Sequence, residues 1–590
     1  VAVTSIAVSS TEVAPGLLEK LIGLALFEGI ETQLLATIAA EFEWFSLPGG
    51  QLLFRQGDKD DSLYVVLSGR LGAFLRNDEG KEILIRQMPA GETVGEMAVL
   101  SGEPRSATVL ALRDTELVRL SKQAFDKLID EHPRSLRFIT DLLVHRLREP
   151  PRLAPSTDAP RTIAIFPFNR ELAASGFVRS LAKAFEELGL KAMLLDHTSV
   201  GRPIEWFNAL EDDHDVVLYA ADAEETEWTR HCLRQADRVV LLAEATRPPA
   251  FLPASIEAAL NNPRRAQIEL VLYRDQSVTP SHTISLLKLL KVAQHHHVRR
   301  QVPRDFRRVA RMLSGRAIGI VLSGGGARAL AHIGVLRALH EAGVELDLFG
   351  GVSMGSIVAA GAALEWDDKV LLERMHDAFF VVNPVGDYTL PMIALTRGRM
   401  ATKLFRKHLG ENLIEDCAYP YYAISVNLTK SQVQVHRTGP LWWTARASVA
   451  IPGVLPPVID GSDILVDGGV LNNLPVDVMS EMRRGPIVAV DLSGDFGFKA
   501  TIDDIDHRPL WQLVRHARQG TPNIVRVLMA AGTIGSQSQT KMLRSQVDVL
   551  LSPSLAGISM LDWKSFYSTV DAGYRYAMEI LEKKKGVLFS

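Results

Sequence analysis

The stretch Leu348-Phe-Gly-Gly-Val-Ser-Met-Gly-Ser-Ile-Val-Ala-Ala-Gly-Ala-Ala363 decides the fold of the C-terminal half. An apolar run ends at Val352, a serine stands between glycines in Gly351-Val-Ser-Met-Gly355, and a small-residue helical run follows. Strand, sharp turn, helix is the context that a nucleophile elbow requires. The flanking glycines let neighbouring backbone come close without a side-chain clash. The helix that starts there offers free N–H groups and a positive dipole end to a developing anion. A GxSxG match alone also describes an ordinary Gly-rich turn; the strand before it and the helix after it favour the elbow.

One strand-to-helix unit earlier, the buried-type run Ala317-Ile-Gly-Ile-Val-Leu322 turns at Ser323-Gly-Gly-Gly-Ala-Arg328. Gly-rich turns can cradle phosphates, but no Lys-[Ser/Thr] follows here. Beside an elbow, the better role is an oxyanion hole, with the N–H groups of Gly325 and Gly326 aimed at a tetrahedral oxygen. Arg328 would support that loop or meet a substrate phosphate. After the elbow, Ile464-Leu-Val466 leads into Asp467-Gly-Gly469. A carboxylate between a strand end and two glycines can approach a serine, although alone the motif reads as a turn. Further strand candidates are Leu348–Val352, Tyr421–Val426, Ile487–Asp491 and Val547–Leu551, which makes this segment α/β.

In this order, the three elements resemble the patatin-like phospholipase family. The resemblance covers most of 316–580 and includes Tyr388-Thr-Leu-Pro391 with Arg397-Gly-Arg399, Ala447-Ser-Val-Ala-Ile-Pro-Gly453 and Leu561-Asp-Trp563. It implies a Ser–Asp dyad without histidine. Ser353 would be the nucleophile, Asp467 the general base, and Gly324, Gly325, Gly326 and Arg328 the oxyanion motif. Ala329 departs from the family's usual glycine, and Val352 from its frequent threonine; activity is expected to survive both. Desolvation would have to raise the proton affinity of Asp467, because an ordinary aspartate is a weak base.

A Ser–His–Asp triad is the mechanistic rival. Only His507 and His516 follow Asp467, both in charged stretches that suit a surface. His332 reads as structural, bonding nearby backbone. No HExxH-type spacing supports a metal hydrolase. Phe379-Phe-Val-Val-Asn-Pro384 and Tyr388–Leu395 read equally well as an acyl pocket or lid and as ordinary core.

The first segment alternates short β-type runs with turns at Gly49-Gly50, Asn77–Gly80, Pro89–Gly91 and Gly102–Pro104. Residues 91–111 read Gly-Glu-Thr-Val-Gly-Glu-Met-Ala-Val-Leu-Ser-Gly-Glu-Pro-Arg-Ser-Ala-Thr-Val-Leu-Ala. They resemble the phosphate-binding cassette of cyclic-nucleotide-binding domains, as in catabolite activator proteins and kinase regulatory subunits. The resemblance implies a short helix after Gly95 facing a cyclic phosphate. Arg105 would pair with that phosphate, Glu96 would accept from the ribose hydroxyl, and Ser106 would donate to a phosphate oxygen. No helix-turn-helix follows, so a transcription factor is disfavoured.

Between these segments, residues 161–294 alternate strands (Thr162–Phe166, Lys191–Leu195, Val216–Ala220, Arg238–Leu242, Glu269–Tyr273) with amphipathic helices, which implies a parallel, doubly wound sheet. The first turn, Phe166-Pro-Phe-Asn-Arg170, lacks phosphate-loop glycines. A scaffold is the better reading, and a nucleotide site the weaker one. Trp228-Thr-Arg-His-Cys-Leu-Arg-Gln-Ala-Asp237 is similar to the linker of the neuropathy-target-esterase group of lysophospholipases, and the roll-plus-patatin arrangement resembles that group's shorter bacterial-type members. The basic connector His295-His-His-Val-Arg-Arg–Arg311 reads as a solvated linker helix in preference to a basic helix touching anionic lipid, since a charged face is ordinary on a surface helix; its adjacent histidines point in different directions and share no metal site.

The 590 residues carry 47% hydrophobic and 23% charged side chains, a net charge of −4 and two cysteines. Several domains, a reducing compartment and no nucleic-acid partner follow. No apolar run is long enough to span a bilayer, and Val1 at the start leaves a longer precursor open. The expected organisation is multidomain: a cyclic-nucleotide-binding-type β-roll over 20–148, a Pro-rich linker over 149–160, an α/β linker domain over 161–294, a basic connector over 295–316 and a patatin-like α/β hydrolase domain over 317–580. The expected activity is serine hydrolysis of phospholipid, lysophospholipid or carboxylic esters, with no required cofactor or metal and with cyclic AMP or cyclic GMP as candidate regulator. Peripheral membrane contact, in the cytoplasm or at the inner membrane face, is expected. The alternative is a cyclic-nucleotide-sensing interaction protein with a vestigial hydrolase domain.

Overall fold

The computed structural model describes residues 15–76, 82–140, 160–260, 267–492 and 535–583, apart from 23, 28, 138, 174, 175, 248, 250, 251, 281, 282, 293, 483 and 537. The expected Pro-rich linker over 149–160, save its last residue, and both His507 and His516 lie outside these residues. The described residues fall into two units, one within 1–271 and 289–294, the other within 272–288 and 295–590.

In the first unit, the short strands form two antiparallel sheets. One runs Glu43–Leu47, Thr115–Leu120, Leu63–Ser68, Thr93–Val94; the other runs Leu52–Phe54, Thr108–Ala111, Arg70–Arg76, Glu82–Pro89. Val66, Leu71, Val109 and Leu117 fill the space between them. The strand Leu63–Ser68 is buried on both faces, because Leu21, Phe27, Leu35, Phe125 and Leu128 of the flanking helical stretches cover its outer side. This is the expected β-roll.

The middle segment supplies parallel strands in the order Ala192–Leu195, Val216–Ala220, Thr162–Pro167, Arg238–Glu244. The first strand in sequence lies inside the sheet and is wholly buried, as a strand covered on both faces must be. At its turn, Asn169 Oδ1 accepts the Leu172 N–H at 2.8 Å. A side chain thus fills the place where a phosphate loop would leave donors open.

Polar contacts join roll and middle segment. Arg113 pairs with buried Glu211 at 2.8 Å, and Glu211 also accepts from the Tyr219 hydroxyl at 3.0 Å. The motif Trp228–Asp237 contributes Arg234, 3.4 Å from Asp114, and Asp237, 3.7 Å from Arg70. The motif is therefore a face against the roll.

The segment expected to be a solvated basic connector is different. Gln294–Arg299 is a strand, Pro303–Leu313 a helix, and Arg308 is fully buried. Its charges are matched inside the segment, Arg299 with Asp305, and by partners farther along the chain, Arg299 with Glu365 and Arg311 with Asp347 and Glu345. His295 and His297 both bond the Glu415 carbonyl through Nε2 at 2.8 Å, and burial holds His297 neutral, with its pKa down to about 3.

The second unit carries a sheet in the order Val458–Asp460, Asp463–Asp467, Tyr421–Asn427, Leu346–Val352, Ile318–Leu322, Ile487–Val490, Val549–Leu551, with Gln432–His436 also paired to Tyr421–Asn427. The five strands from Tyr421–Asn427 onward are parallel; Asp463–Asp467 runs antiparallel and brings Asp467 opposite Ser425. Helices Ala331–Glu341 and Phe566–Lys583 approach each other at glycines, since a Cβ on Gly334 would stand 2.6 Å from the Tyr574 nitrogen. No described helix is long and apolar enough to cross a membrane.

Candidate active site

Ser353 stands between the strand Leu346–Val352 and the helix Met354–Ala363 with φ 52° and ψ −132°. A non-glycine residue there stores about 1–3 kcal/mol of strain and persists only if its surroundings hold it. They do. The Ser353 N–H donates to Ser448 Oγ at 2.9 Å, and Ser448 Oγ donates to the Ile424 carbonyl at 2.7 Å. The Ser356 hydroxyl donates to the Ser353 carbonyl at 2.6 Å. A Cβ on Gly351 would lie 2.8 Å from the Gly355 carbonyl carbon, and one on Gly355 would meet the Ser323 oxygen at 2.5 Å. Both glycines are required by close backbone approach.

Asp467 ends its strand, and its N–H donates to the Ala450 carbonyl at 3.0 Å. Ser353 Oγ donates to Asp467 Oδ2 at 2.6 Å, and the Gly469 N–H donates to Oδ1 at 2.8 Å. Gly468 fits tightly, since its Cβ would lie 2.6 Å from the Ile424 oxygen. Burial pushes the Asp467 pKa up to about 6, against the Ser353 hydroxyl and the Gly469 N–H, which favour the ionised form. The carboxylate meets the serine directly, with no imidazole between them.

The Gly-rich turn lies alongside. A Cβ on Gly324 would sit 3.1 Å from Ser353 Cβ and 2.5 Å from Asn473 Oδ1. The Gly324 N–H donates to the Asn473 carbonyl at 3.4 Å, so this donor is engaged elsewhere. Gly326 has φ +57°, and a Cβ there would strike the Met560 carbonyl. The Ala327 N–H donates to that same carbonyl at 2.8 Å, and Arg328 Nε donates to the Ile558 carbonyl at 2.7 Å. Arg328 thus ties the loop to the C-terminal segment. Among the described residues, the N–H groups of Gly325 and Gly326 donate to no protein acceptor.

Two buried histidines lie behind the site. His332 Nε2 faces the Ser323 carbonyl at 2.9 Å, which fixes the proton on Nε2; burial holds its pKa down to about 4. His436 Nε2 bonds Ser425 Oγ at 2.8 Å. Neither bonds Asp467. Among the described residues, no group of three His, Cys, Asp or Glu side chains could hold a metal. Sequence reasoning gave no role to Ser448 or Asn473. Ser448 lay within the quoted stretch Ala447–Gly453, and Asn473 follows Asp467-Gly-Gly469 by a few residues, so proximity to the motifs was the available signal.

In the roll, Gly95 has φ 93° and starts the helix Glu96–Ser101. Arg105 is buried, with Nη2 2.5 Å from Asp60 Oδ2 and 2.7 Å from the Ser62 carbonyl, and Nη1 3.2 Å from the Gly95 carbonyl. Its guanidinium lies 4.1 Å from the centre of the Phe54 ring. Burial works to raise the Asp60 pKa, but hydrogen bonding and charge from Arg105 outweigh it and hold the carboxyl below its usual range. Glu96 is buried and Ser106 exposed.

Comparisons with known proteins follow this division. Residues 44–132 match the cyclic nucleotide-binding domain, 159–304 the neuropathy target esterase family P-loop like domain, and 320–480 the patatin-like phospholipase model. Patatin-like phospholipase domain-containing protein 6 of Homo sapiens is 30% identical over 91% of this chain, which spans 44% of that protein's length. Patatin-like phospholipase domain-containing protein 7 of Rattus norvegicus is 31% identical over 76% of the chain and 38% of its own length. An NTE family protein of Mycobacterium tuberculosis is 30% identical, with 94% of each chain covered. With all three segments matched in order and one relative matched nearly end to end, the chain belongs to the neuropathy target esterase family.

Proposed function

We propose that this chain is a serine lipid-acyl hydrolase that cleaves phospholipid or lysophospholipid esters through a Ser353–Asp467 dyad. The observation that carries this reading is the 2.6 Å hydrogen bond from Ser353 Oγ to Asp467 Oδ2 on a strained elbow. A carboxylate with a pKa of about 6 is ionised near neutrality yet basic enough to take a serine proton. In acylation, Ser353 Oγ attacks the ester carbonyl, its proton passes to Asp467 and then to the departing alkoxide, and the lysolipid or alcohol leaves. In deacylation, water gives a proton to Asp467 and attacks the acyl-serine; the proton returns to Ser353 Oγ and the fatty acid leaves. Gly325 and Gly326 are the oxyanion donors, each worth about 2.7–4 kcal/mol of barrier. Gly324 makes room beside Ser353, and Arg328 secures the loop.

The roll is the regulatory part of this proposal. Arg105 Nε is buried and, among the described residues, without a hydrogen-bond partner. With Gly95, Glu96 and Ser106 it would take a cyclic nucleotide, the phosphate displacing Asp60 as the partner of the guanidinium.

The test is fatty-acid release from lysophosphatidylcholine by wild type, Ser353→Ala and Asp467→Asn, each with and without cyclic AMP or cyclic GMP. Loss in both variants supports the dyad, and a nucleotide-dependent rate in wild type supports regulation. Nucleotide binding by a wild type that hydrolyses neither lysolipid nor short esters would leave the sensing protein with a vestigial hydrolase as the answer.

A further inference from the structure

Asp387-Tyr-Thr-Leu-Pro-Met-Ile-Ala-Leu-Thr-Arg-Gly-Arg399 turns outward in a way that its composition does not explain. Tyr388, Leu390, Met392 and Ile393 are 71–82% exposed, four large apolar side chains within six residues. Single exposed apolar residues are ordinary, but a contiguous set marks a surface that meets something apolar.

The loop is firmly rooted. Tyr388 bridges to Thr396. The Thr389 N–H donates to the Leu395 carbonyl at 3.0 Å and the Arg397 N–H to the Asp387 carbonyl at 2.9 Å. Asp387 Oδ2 accepts the N–H groups of Arg399 at 2.8 Å and Met400 at 3.2 Å, which occupies that carboxylate oxygen with the start of the next helix. Ala394 and Thr396 are buried. Leu395 and Thr396 donate to the carbonyls of Gly453 and Val454 at 2.9 and 3.1 Å. The tip is thus presented by a closed Ω-type base.

That base stands on the dyad's own support. Residues 448–454 run from Ser448, which holds the Ser353 N–H, through Ala450, which holds the Asp467 N–H, to Gly453 and Val454 under the loop. From Ala450 to Val454 is at most ~14 Å of extended chain. At the other end of the loop, Arg397 and Arg399 are exposed, and among the described residues neither lies within ion-pair distance of a carboxylate. An apolar tip with two uncommitted guanidinium groups at its root fits an anionic lipid surface: acyl chains for the tip, phosphates for the arginines.

We propose that residues 388–399 are the seat by which the protein docks on a lipid bilayer, Leu390, Met392 and Ile393 entering the headgroup boundary and Arg397 and Arg399 meeting anionic headgroups. The choice of a bilayer as occupant rests on reading the Ser353 site as a lipid hydrolase. Docking there would bring the lipid ester to the face of the molecule that carries the dyad's support.

The experiment measures co-sedimentation of the full chain with phosphatidylcholine vesicles, with or without phosphatidylglycerol, in a Ser353→Ala background so that the lipid is not consumed. Leu390→Asp with Ile393→Asp is expected to weaken binding to both vesicles by about a hundredfold, given the apolar area withdrawn. Arg397→Gln with Arg399→Gln is expected to cost about fivefold per arginine, on the anionic vesicles alone. With Ser353 intact, hydrolysis of a water-soluble short ester should be unchanged in both variants. Cys232 and Cys417 are buried, so a polarity-sensitive dye on Ile393→Cys should report the tip alone and shift to the blue on vesicles. Unchanged vesicle binding, an unshifted dye, or a parallel loss of short-ester hydrolysis would overturn the proposal. So would a variant that only dissociates the protein in lipid-free solution, which would make this face a contact between copies. Vesicle binding through the loop by a wild type that hydrolyses no ester would leave the seat standing and remove the hydrolase reading.

Discussion

Asp467 in the second unit and Asp60 in the roll are each joined to one functional side chain by a short hydrogen bond, 2.6 Å to Ser353 Oγ and 2.5 Å to Arg105 Nη2. Their proton affinities move in opposite directions. Asp467 faces a neutral hydroxyl in a dry enclosure, and burial wins; its pKa rises to about 6. Asp60 faces a guanidinium and keeps some solvent, and the cation wins; its pKa falls. On the proposed reading, the first arrangement serves as a base and the second as a clamp. A carboxylate's chemistry is therefore set by the charge of its partner and by the water left around it, not by the short hydrogen bond that both possess.

The largest expected effect breaks the comparison at its catalytic end. Ser353→Ala and Asp467→Asn should each lower lysolipid hydrolysis by about 10⁴-fold or more, measured as fatty-acid release at saturating substrate. A surviving Asp467→Asn enzyme would mean that the carboxylate is no base.

A third carboxylate tests what burial does once its cation is taken away. Glu211 is buried against Arg113. Arg113→Ala should cost about 3 kcal/mol of stability in denaturant titration, because it strands a charge. A loss well under 1 kcal/mol would show that water reaches Glu211.

Next comes the cost of holding Asp467 as a base. Its raised pKa means that the native state binds more protons than the unfolded chain between about pH 4 and pH 6, so ionisation destabilises the fold as pH rises through that window. Asp467→Asn should gain about 3 kcal/mol at pH 8 and next to nothing at pH 4 by thermal denaturation. In wild type, kcat/KM should rise with pH through about 6 and level off above it. A profile flat from pH 5 to pH 8, in about the range where Asp467 titrates, would contradict both expectations. Asp60 has the opposite sign: its depressed pKa supports the roll above the unfolded value, and the support disappears as pH falls through the folded one.

The smallest effect concerns the clamp. Asp60→Asn keeps an acceptor for Arg105 but removes the charge that competes with an incoming phosphate. Cyclic AMP should bind about fivefold tighter, in line with an ion pair worth about 1 kcal/mol, read by calorimetry. Weaker binding would mean that Asp60 serves the nucleotide by orienting Arg105.

Much of this could be read from the sequence, for identifiable reasons. The strand ends at Leu322 and Val352 and the glycines that follow them are local patterns, and the structure puts Gly324, Ser353 and Asp467 together. Gly351, Gly355 and Gly468 are dictated by backbone approaches that only glycine permits. What stayed hidden depends on partners far along the chain. Ser448 reaches Ser353, and Asn473 reaches Gly324, through packing that no local pattern encodes. The run from His295 to Arg311 looked solvated because its charges were counted without Asp347 and Glu365, which match them inside the fold. The exposed tip at Leu390–Ile393 could not be told from core by composition, since the same residues suit either place.

The oxyanion turn depends on a late part of the chain. Gly326 and Ala327 crowd against and bond the Met560 carbonyl, and Arg328 reaches Ile558. During synthesis, a ribosome-bound polypeptide that has emerged past Asp467 already owns both members of the dyad but lacks the backbone that shapes the turn. On the proposed reading, such a chain would hold its nucleophile and base before its anion site, which is complete only once residues 558–560 pack against the turn.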